Sequence, residues 1–235
     1  MGKRSTVIVG ACFALALAFP FSTAHAAPDI PPPVPPRTAI ALRSPVLQWG
    51  TPNEHERRSG LSLTKLYVVD YALRHGDHSA ADRDLSERMI SYSDDGAATE
   101  LDSKYPQAID AVAAEYHLTE TGRGAEWGTA TTSAADVSDF LAAKQRTDPE
   151  SPILRWMADA GATAADGTAQ DWGTARLPSV RGTKWGWSDA GEPEVASASY
   201  GPGFAVTAHT RGTADEQTAD VMDALAEVIA VLFPR

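Results

Sequence analysis

The hydrophobic pattern of this chain changes period once, and no other feature constrains its fold as much. From Ser62 to about residue 158 apolar residues recur at helical spacing, whereas from Val180 to His209 they follow the short rhythm of strands. Leu66, Val69, Tyr71 and Leu73 mark a first helix that stops at His75-Gly76. Ser79 opens a second through Leu85, Met89 and Ile90, and a third is expected from Ser103 to about His117. Thr132-Ser133 caps a fourth around Val137, Phe140 and Leu141, and Ser151-Pro152 starts a short fifth. Residues 161–173 are small and polar and read as loop. Strands follow over 180–187, 195–200 and 204–209, the last two joined by the turn Gly201-Pro202-Gly203. Over 213–233, Val221, Leu225, Val228, Ile229 and Leu232 share one face of an amphipathic helix. Helices in one block, strands in another and a terminal helix to cover them predict an α+β fold. Residues 38–59 are few and 53–58 read as exposed loop, so the N-terminal part of the sheet is expected to be reduced.

Ahead of this pattern lies a segment that should not be folded with it. Lys3 and Arg4 precede an apolar run over 7–19, and Ala24-His25-Ala26 offers the small-x-small pattern of a signal peptidase site. The run is too short to span a bilayer comfortably. Export with cleavage after Ala26 is therefore expected, with an uncleaved anchor as the alternative. Loss of residues 1–26, which contain Lys3, Arg4 and no acid, leaves 209 residues and takes the net charge from −11 to −13. That charge argues against nucleic acid and anionic membrane surfaces as partners, because both demand clustered Lys and Arg. Proline at 28, 31, 32, 33, 35 and 36 makes 27–37 an extended linker, leaving 38–235 for the folded domain. The single cysteine, Cys12, falls within the leader, so covalent catalysis in the mature chain falls to a hydroxyl.

Three short constellations could carry such chemistry. In Ser62-Leu63-Thr64-Lys65 a helix start places residues i and i+3 on one face, so Lys65 can reach the Ser62 oxygen. Backbone N–H groups at that helix start would face developing negative charge. Ser93-Asp94-Asp95 supplies a second hydroxyl able to relay a proton, or an ordinary turn. In Lys184-Trp185-Gly186 a strand lysine could meet a substrate carboxylate, and Gly186 would let a ligand approach the strand edge. Trp185 and Trp187 alternate about Gly186 and share a face, either as an aromatic binding platform or as packing on the helices.

The order of these motifs resembles that of the penicillin-recognising serine hydrolases, the class A β-lactamases and low-molecular-weight penicillin-binding proteins. The segment 89–98, the capped helix at 131–134 and the closing strands and helix extend the resemblance over about 60–235. It implies a β-lactamase/transpeptidase-like fold with Ser62 as acyl-accepting nucleophile, Lys65 as its proton partner and Ser93 as proton shuttle. Lys184 would tune that shuttle and attract a carboxylate, and the N–H groups of Ser62 and Trp187 would form the oxyanion hole. Asp95, Lys184, Trp185, Gly186 and Trp187 are the implied substrate-binding residues. Asp95 stands where the family has Asn, losing a donor, and Trp185 replaces a hydroxyl residue. No E-x-x-L-N segment occurs between His117 and Thr131, where only Glu120 and Glu126 are glutamates. The resemblance thus implies an exported acyl-serine hydrolase or peptidase of the bacterial cell envelope, acting without cofactor on D-Ala-D-Ala-like wall peptides or β-lactams and weak as a β-lactamase. A catalytically degenerate binding module on the same fold is the alternative. His75-Gly76-Asp77-His78 lacks companions for a metal site, and Gly60-Leu61-Ser62-Leu63-Thr64 is one glycine short of a nucleophile elbow and has no buried strand before it.

Overall fold

The computed structural model describes residues 33–234. The leader expected over 1–26, with Cys12, and most of the proline-rich linker lie outside the described residues.

The described chain opens with β1 (Thr38–Arg43) and β2 (Gln48–Gly50), then a short β3 (Arg58–Ser59) and a 3-10 turn, Leu61–Thr64. Four helices follow: α1 (Lys65–His75), α2 (Ala80–Ser91), α3 (Asp95–Lys104) and α4 (Ala108–Tyr116). After β4 (Thr131–Thr132), which pairs with β3, come α5 (Ala134–Thr147) and α6 (Pro152–Ala158). The chain closes with β5 (Gly182–Trp187), β6 (Glu194–Gly201), β7 (Phe204–Arg211) and α7 (Ala214–Leu232). The main sheet is antiparallel in the order β2-β1-β7-β6-β5, which leaves β5 as an outer strand.

The N-terminal strands are present, contrary to the reduced sheet expected from sequence. Every residue of β1 is buried. Ile40 and Leu42 pack with Val221, Leu225 and Ile229 of α7, while Ala39 and Ala41 meet Ala134 and Ala135 of α5. A strand covered on both faces shows a short apolar run instead of alternation, so its periodicity is silent. The small alanines on one side let α5 approach closely, and each large aliphatic on the other contributes about 1.5–3 kcal/mol of burial. Arg58, read as exposed, is also buried: its guanidinium donates to the carbonyls of Arg37 and His209, at 2.7 and 2.8 Å, and pairs with Glu56.

Two other expectations need correction. The helix expected from Ser103 begins only at Ala108, and 95–104 forms a helix of its own, α3, that the sequence reading does not place; Tyr105-Pro106-Gln107 separates the two. Asp94, taken within a turn motif, caps α3 by accepting the Ala97 N–H at 3.0 Å. In α7, Leu232 is exposed and Ala224 takes a place on the buried face, since Phe233 folds back on Phe204 beyond the helix end. The remaining helices begin where their caps predict, with Ser79, Ser133 and Thr213 each accepting an N–H three residues on. α7 covers one face of the sheet, and the helical block covers the other through Ala196, Ala198 and Ala205.

Candidate active site

Four side chains from three separate stretches of the chain meet where β5 passes the start of α1. Gly186 makes this approach feasible: a Cβ there would lie 2.7 Å from the Ser62 nitrogen and 2.8 Å from the Leu61 Cβ. Gly186 thus admits the Ser62 turn to the strand edge, where the sequence reading expects the approach of a ligand. The preceding Leu61 sits at φ +48°, a left-handed conformation costly for a branched residue and held here by the 3-10 turn and β5.

Ser62 and Lys65, one turn apart, place Oγ and Nζ 2.9 Å from each other. Lys65 is fully buried, and its ammonium also donates to the Ser93 carbonyl at 2.7 Å and approaches the Ser93 Oγ at 3.3 Å. Its remaining close partner is the Asp95 carboxylate, and the Trp127 ring lies 4.6 Å away. Ser93 is likewise left-handed, at φ +54°, between α2 and α3, which turns its hydroxyl and carbonyl toward the lysines. On the far side Lys184 donates to the Ser93 Oγ at 2.8 Å and to the Trp185 carbonyl at 3.0 Å. The Ser93 hydroxyl is therefore shared between two ammonium groups.

Burial dominates the electrostatics of both lysines. It pushes Lys65 below the ordinary lysine value, against the opposing pull of the Asp95 carboxylate. It pushes Lys184 much further down, helped by repulsion from Lys65, because no carboxylate touches the Lys184 amine. A lysine held toward its neutral form beside a serine hydroxyl can accept a proton, which an ordinary surface lysine at neutral pH cannot.

Ser62 opens onto a cleft of about 450 Å³, lined also by Ser93, Asp95, Trp127, Asp166, Trp187 and Asp189. Trp187 forms a wall and donates its indole N–H to Asp166 at 3.2 Å. Trp185 is not part of that lining. It is buried against Trp172 and Val195, with its indole N–H on the Trp172 carbonyl at 3.0 Å. Lys184 is fully buried and reaches the cleft only through Ser93. The cleft is not blocked by Trp185, which packs against Trp172 and Val195, and the N-terminal strands are in place. Glu126 is exposed at a 3-10 turn and Glu120 pairs with His55, and neither lines the cleft. Trp127, Asp166 and Asp189 were not foreseen as cleft residues, because they sit in irregular segments where no periodicity marks direction. Among the described residues no cluster of three or more His, Cys, Asp or Glu is arranged to hold a metal ion, and no helix is long and apolar enough to cross a membrane.

No family model matches the sequence, and no curated protein matches it. Solved structures do. Penicillin-binding protein D2 from Listeria monocytogenes, in its cefotaxime-bound form, superposes with a TM-score of 0.58 at 18% identity, covering 80% of this chain and 94% of that one. A β-lactamase from Sphaerobacter thermophilus gives 0.59 at 16%, covering 84% and 93%. The D-alanyl-D-alanine carboxypeptidase of Mycobacterium tuberculosis gives 0.58 at 16%, covering 91% and 96%. The helical block, the antiparallel sheet and the covering C-terminal helix thus form the fold shared by β-lactamases and penicillin-binding proteins, and this chain is a distant member of that fold.

Proposed function

We propose that the protein is an exported acyl-serine hydrolase or peptidase of the bacterial cell envelope, acting on D-Ala-D-Ala-like peptides and reacting with β-lactams, with Ser62 as nucleophile. The observation that carries this reading is the Ser62–Lys65–Ser93–Lys184 chain of contacts, 2.9, 3.3 and 2.8 Å long, opening onto a cleft at Ser62. In the forward step Ser62 Oγ bonds to the acyl carbonyl carbon while Lys65 Nζ takes its proton. The N–H groups of Ser62 and Trp187 are assigned to the oxyanion. The Ser93 hydroxyl gives its proton to the leaving amine as the carbon–nitrogen bond breaks, and is reprotonated from Lys65. Lys184 keeps the Ser93 oxygen oriented and electron-poor. Water then hydrolyses the ester, returning the acid and free Ser62.

The second half of that cycle is expected to be slow. With neither Glu120 nor Glu126 in the cleft, the deacylating water has no glutamate base, so the acyl-enzyme should accumulate. The test is intact mass of the purified protein after exposure to a penicillin, an aryl thioester and a D-Ala-D-Ala peptide. A persistent adduct of the expected acyl mass, absent in Ser62→Ala, supports the reading. No adduct with any of the three, or one retained in Ser62→Ala, overturns it.

A further inference from the structure

The Ser93 hydroxyl is aimed by the backbone at the end of α2, and that backbone is held by a segment with no part in the acyl-transfer steps. Ser91 ends α2 and Tyr92 follows it, where a helix leaves its last carbonyls without partners of its own. Residues 161–170 supply the missing donors. The Gly161 N–H reaches the Ser91 oxygen at 2.9 Å, and the Ala165 N–H reaches the Tyr92 oxygen at 2.8 Å. The Gln170 side chain adds a third bond: its Nε2 donates to the Ser91 oxygen at 3.1 Å and to the Gly161 oxygen at 2.7 Å. Lys65 holds the Ser93 carbonyl at 2.7 Å. The carbonyls of residues 91, 92 and 93 are thus all pinned, which fixes the left-handed turn from which the Ser93 hydroxyl reaches Lys65 and Lys184.

Gln170 is buried, and its Oε1 has no hydrogen-bond partner among the described residues. Turning the amide round would set that oxygen against both carbonyls, so the donors dictate its orientation. A buried unpaired acceptor lowers stability, and here it is the consequence of directing both amide protons at the Ser91 and Gly161 oxygens. The segment itself is a small hairpin, closed by the Thr163–Ala169 bridge around Gly167 at φ +96°. At its tip Asp166 accepts the Thr168 N–H at 2.8 Å and the Trp187 indole N–H at 3.2 Å. The hairpin is therefore fastened to Ser91 at its base and to β5 at its tip. Gln170 lies at the base and does not line the cleft.

We infer that Gln170 is a positioning residue for acylation, acting through Ser93: it holds the Ser91–Ser93 backbone so that the Ser93 hydroxyl can give its proton to the leaving group. The inference rests on Ser62 as the acylated atom and Ser93 as the proton shuttle.

Leaving groups separate this role from a merely structural one. The lactam nitrogen of a penicillin departs with a proton, whereas an aryl thiolate departs without one. Acylation rates with a penicillin and with an aryl thioester are measured by intact mass on one preparation of each protein, so their ratio is independent of the fraction folded. In Gln170→Met, which keeps the side-chain length and removes both donors, penicillin acylation should slow by about thirtyfold and thioester acylation by less than about threefold. Gln170→Glu, isosteric and without donors when ionised, should move the ratio in the same direction. In a Ser93→Ala background, adding Gln170→Met should change neither rate by more than about twofold, because the group it positions is gone. Asp166→Ala, which disturbs the same hairpin at its tip, should leave the ratio within about threefold of the parent's. Equal slowing of the two donors, an equally large ratio shift in Asp166→Ala, or a Gln170→Met effect undiminished without the Ser93 hydroxyl overturns the inference and leaves Ser62 as nucleophile. A parent protein acylated by neither donor overturns the acyl-serine reading, and the inference with it.

Discussion

Lys144 and Lys184 are equally sealed from solvent, yet they are buried on opposite terms. Lys144, on α5, lies 2.9 Å from Asp70 and 2.7 Å from Asp148, and Asp70 in turn holds Arg74. Burial works against its charge, but the two carboxylates win and hold Lys144 above the ordinary lysine value. Lys184 has a hydroxyl and a carbonyl and no carboxylate, so burial wins there and its value falls. Lys65 lies between the two, depressed by burial and partly restored by Asp95. A structural lysine is surrounded so that its charge is compensated, whereas Lys65 and Lys184, on either side of Ser93, are surrounded so that burial weakens their hold on the proton.

Substitutions at these lysines separate the two cases most sharply. Lys144→Met leaves Asp70 with Arg74 alone, and should cost about 3 kcal/mol in denaturant unfolding, toward the low end for breaking a buried pair. Lys184→Met should act in the opposite direction and raise the thermal midpoint at neutral pH. The folded value of Lys184 lies below its unfolded value, so at neutral pH the unfolded chain holds this proton more tightly than the native site does. That cost is lost as pH rises toward the ordinary lysine range, so the midpoints of the two proteins should converge there. A Lys184→Met protein less stable than the parent at pH 7 would break the comparison. Lys65→Ala should leave the fold intact and slow acylation by about a thousandfold, measured as the rate of adduct formation.

Smaller effects sharpen the account of the site. Gly186→Ala would press a methyl group on the Ser62 backbone, and the resulting shift of the nucleophile should slow acylation by about a hundredfold with little change in substrate binding. Asp95→Asn removes the carboxylate that restores the Lys65 proton. The acidic limb of the acylation pH profile should then move to lower pH, with the rate near neutrality raised severalfold. An unmoved or upward-shifted limb would show that Asp95 does not govern the Lys65 proton.

The sequence discloses parts of this molecule unevenly, for physical reasons. Helices with a capping Ser or Thr and one apolar face, such as α2, α5 and α7, are legible because their caps and period are local. β1 is not, because two-sided burial between α5 and α7 erases the alternation that announces a strand. Ser62 and Lys65 could be paired by helix geometry alone, but Ser93 and Lys184 are 91 residues apart and meet only in the folded chain. Their meeting was implied by resemblance to a family. Asp166 and Trp187 illustrate the limit: nothing in a loop of small residues says that its aspartate will reach a strand tryptophan.

The account rests on Ser62 being the atom that is acylated. Digestion and tandem mass spectrometry of the protein after reaction with a penicillin test this directly. The account predicts the acyl mass on Ser62, within the turn Leu61–Thr64 that leads into α1. Label found on another residue, or distributed among surface lysines with Ser62 unmodified, would contradict it.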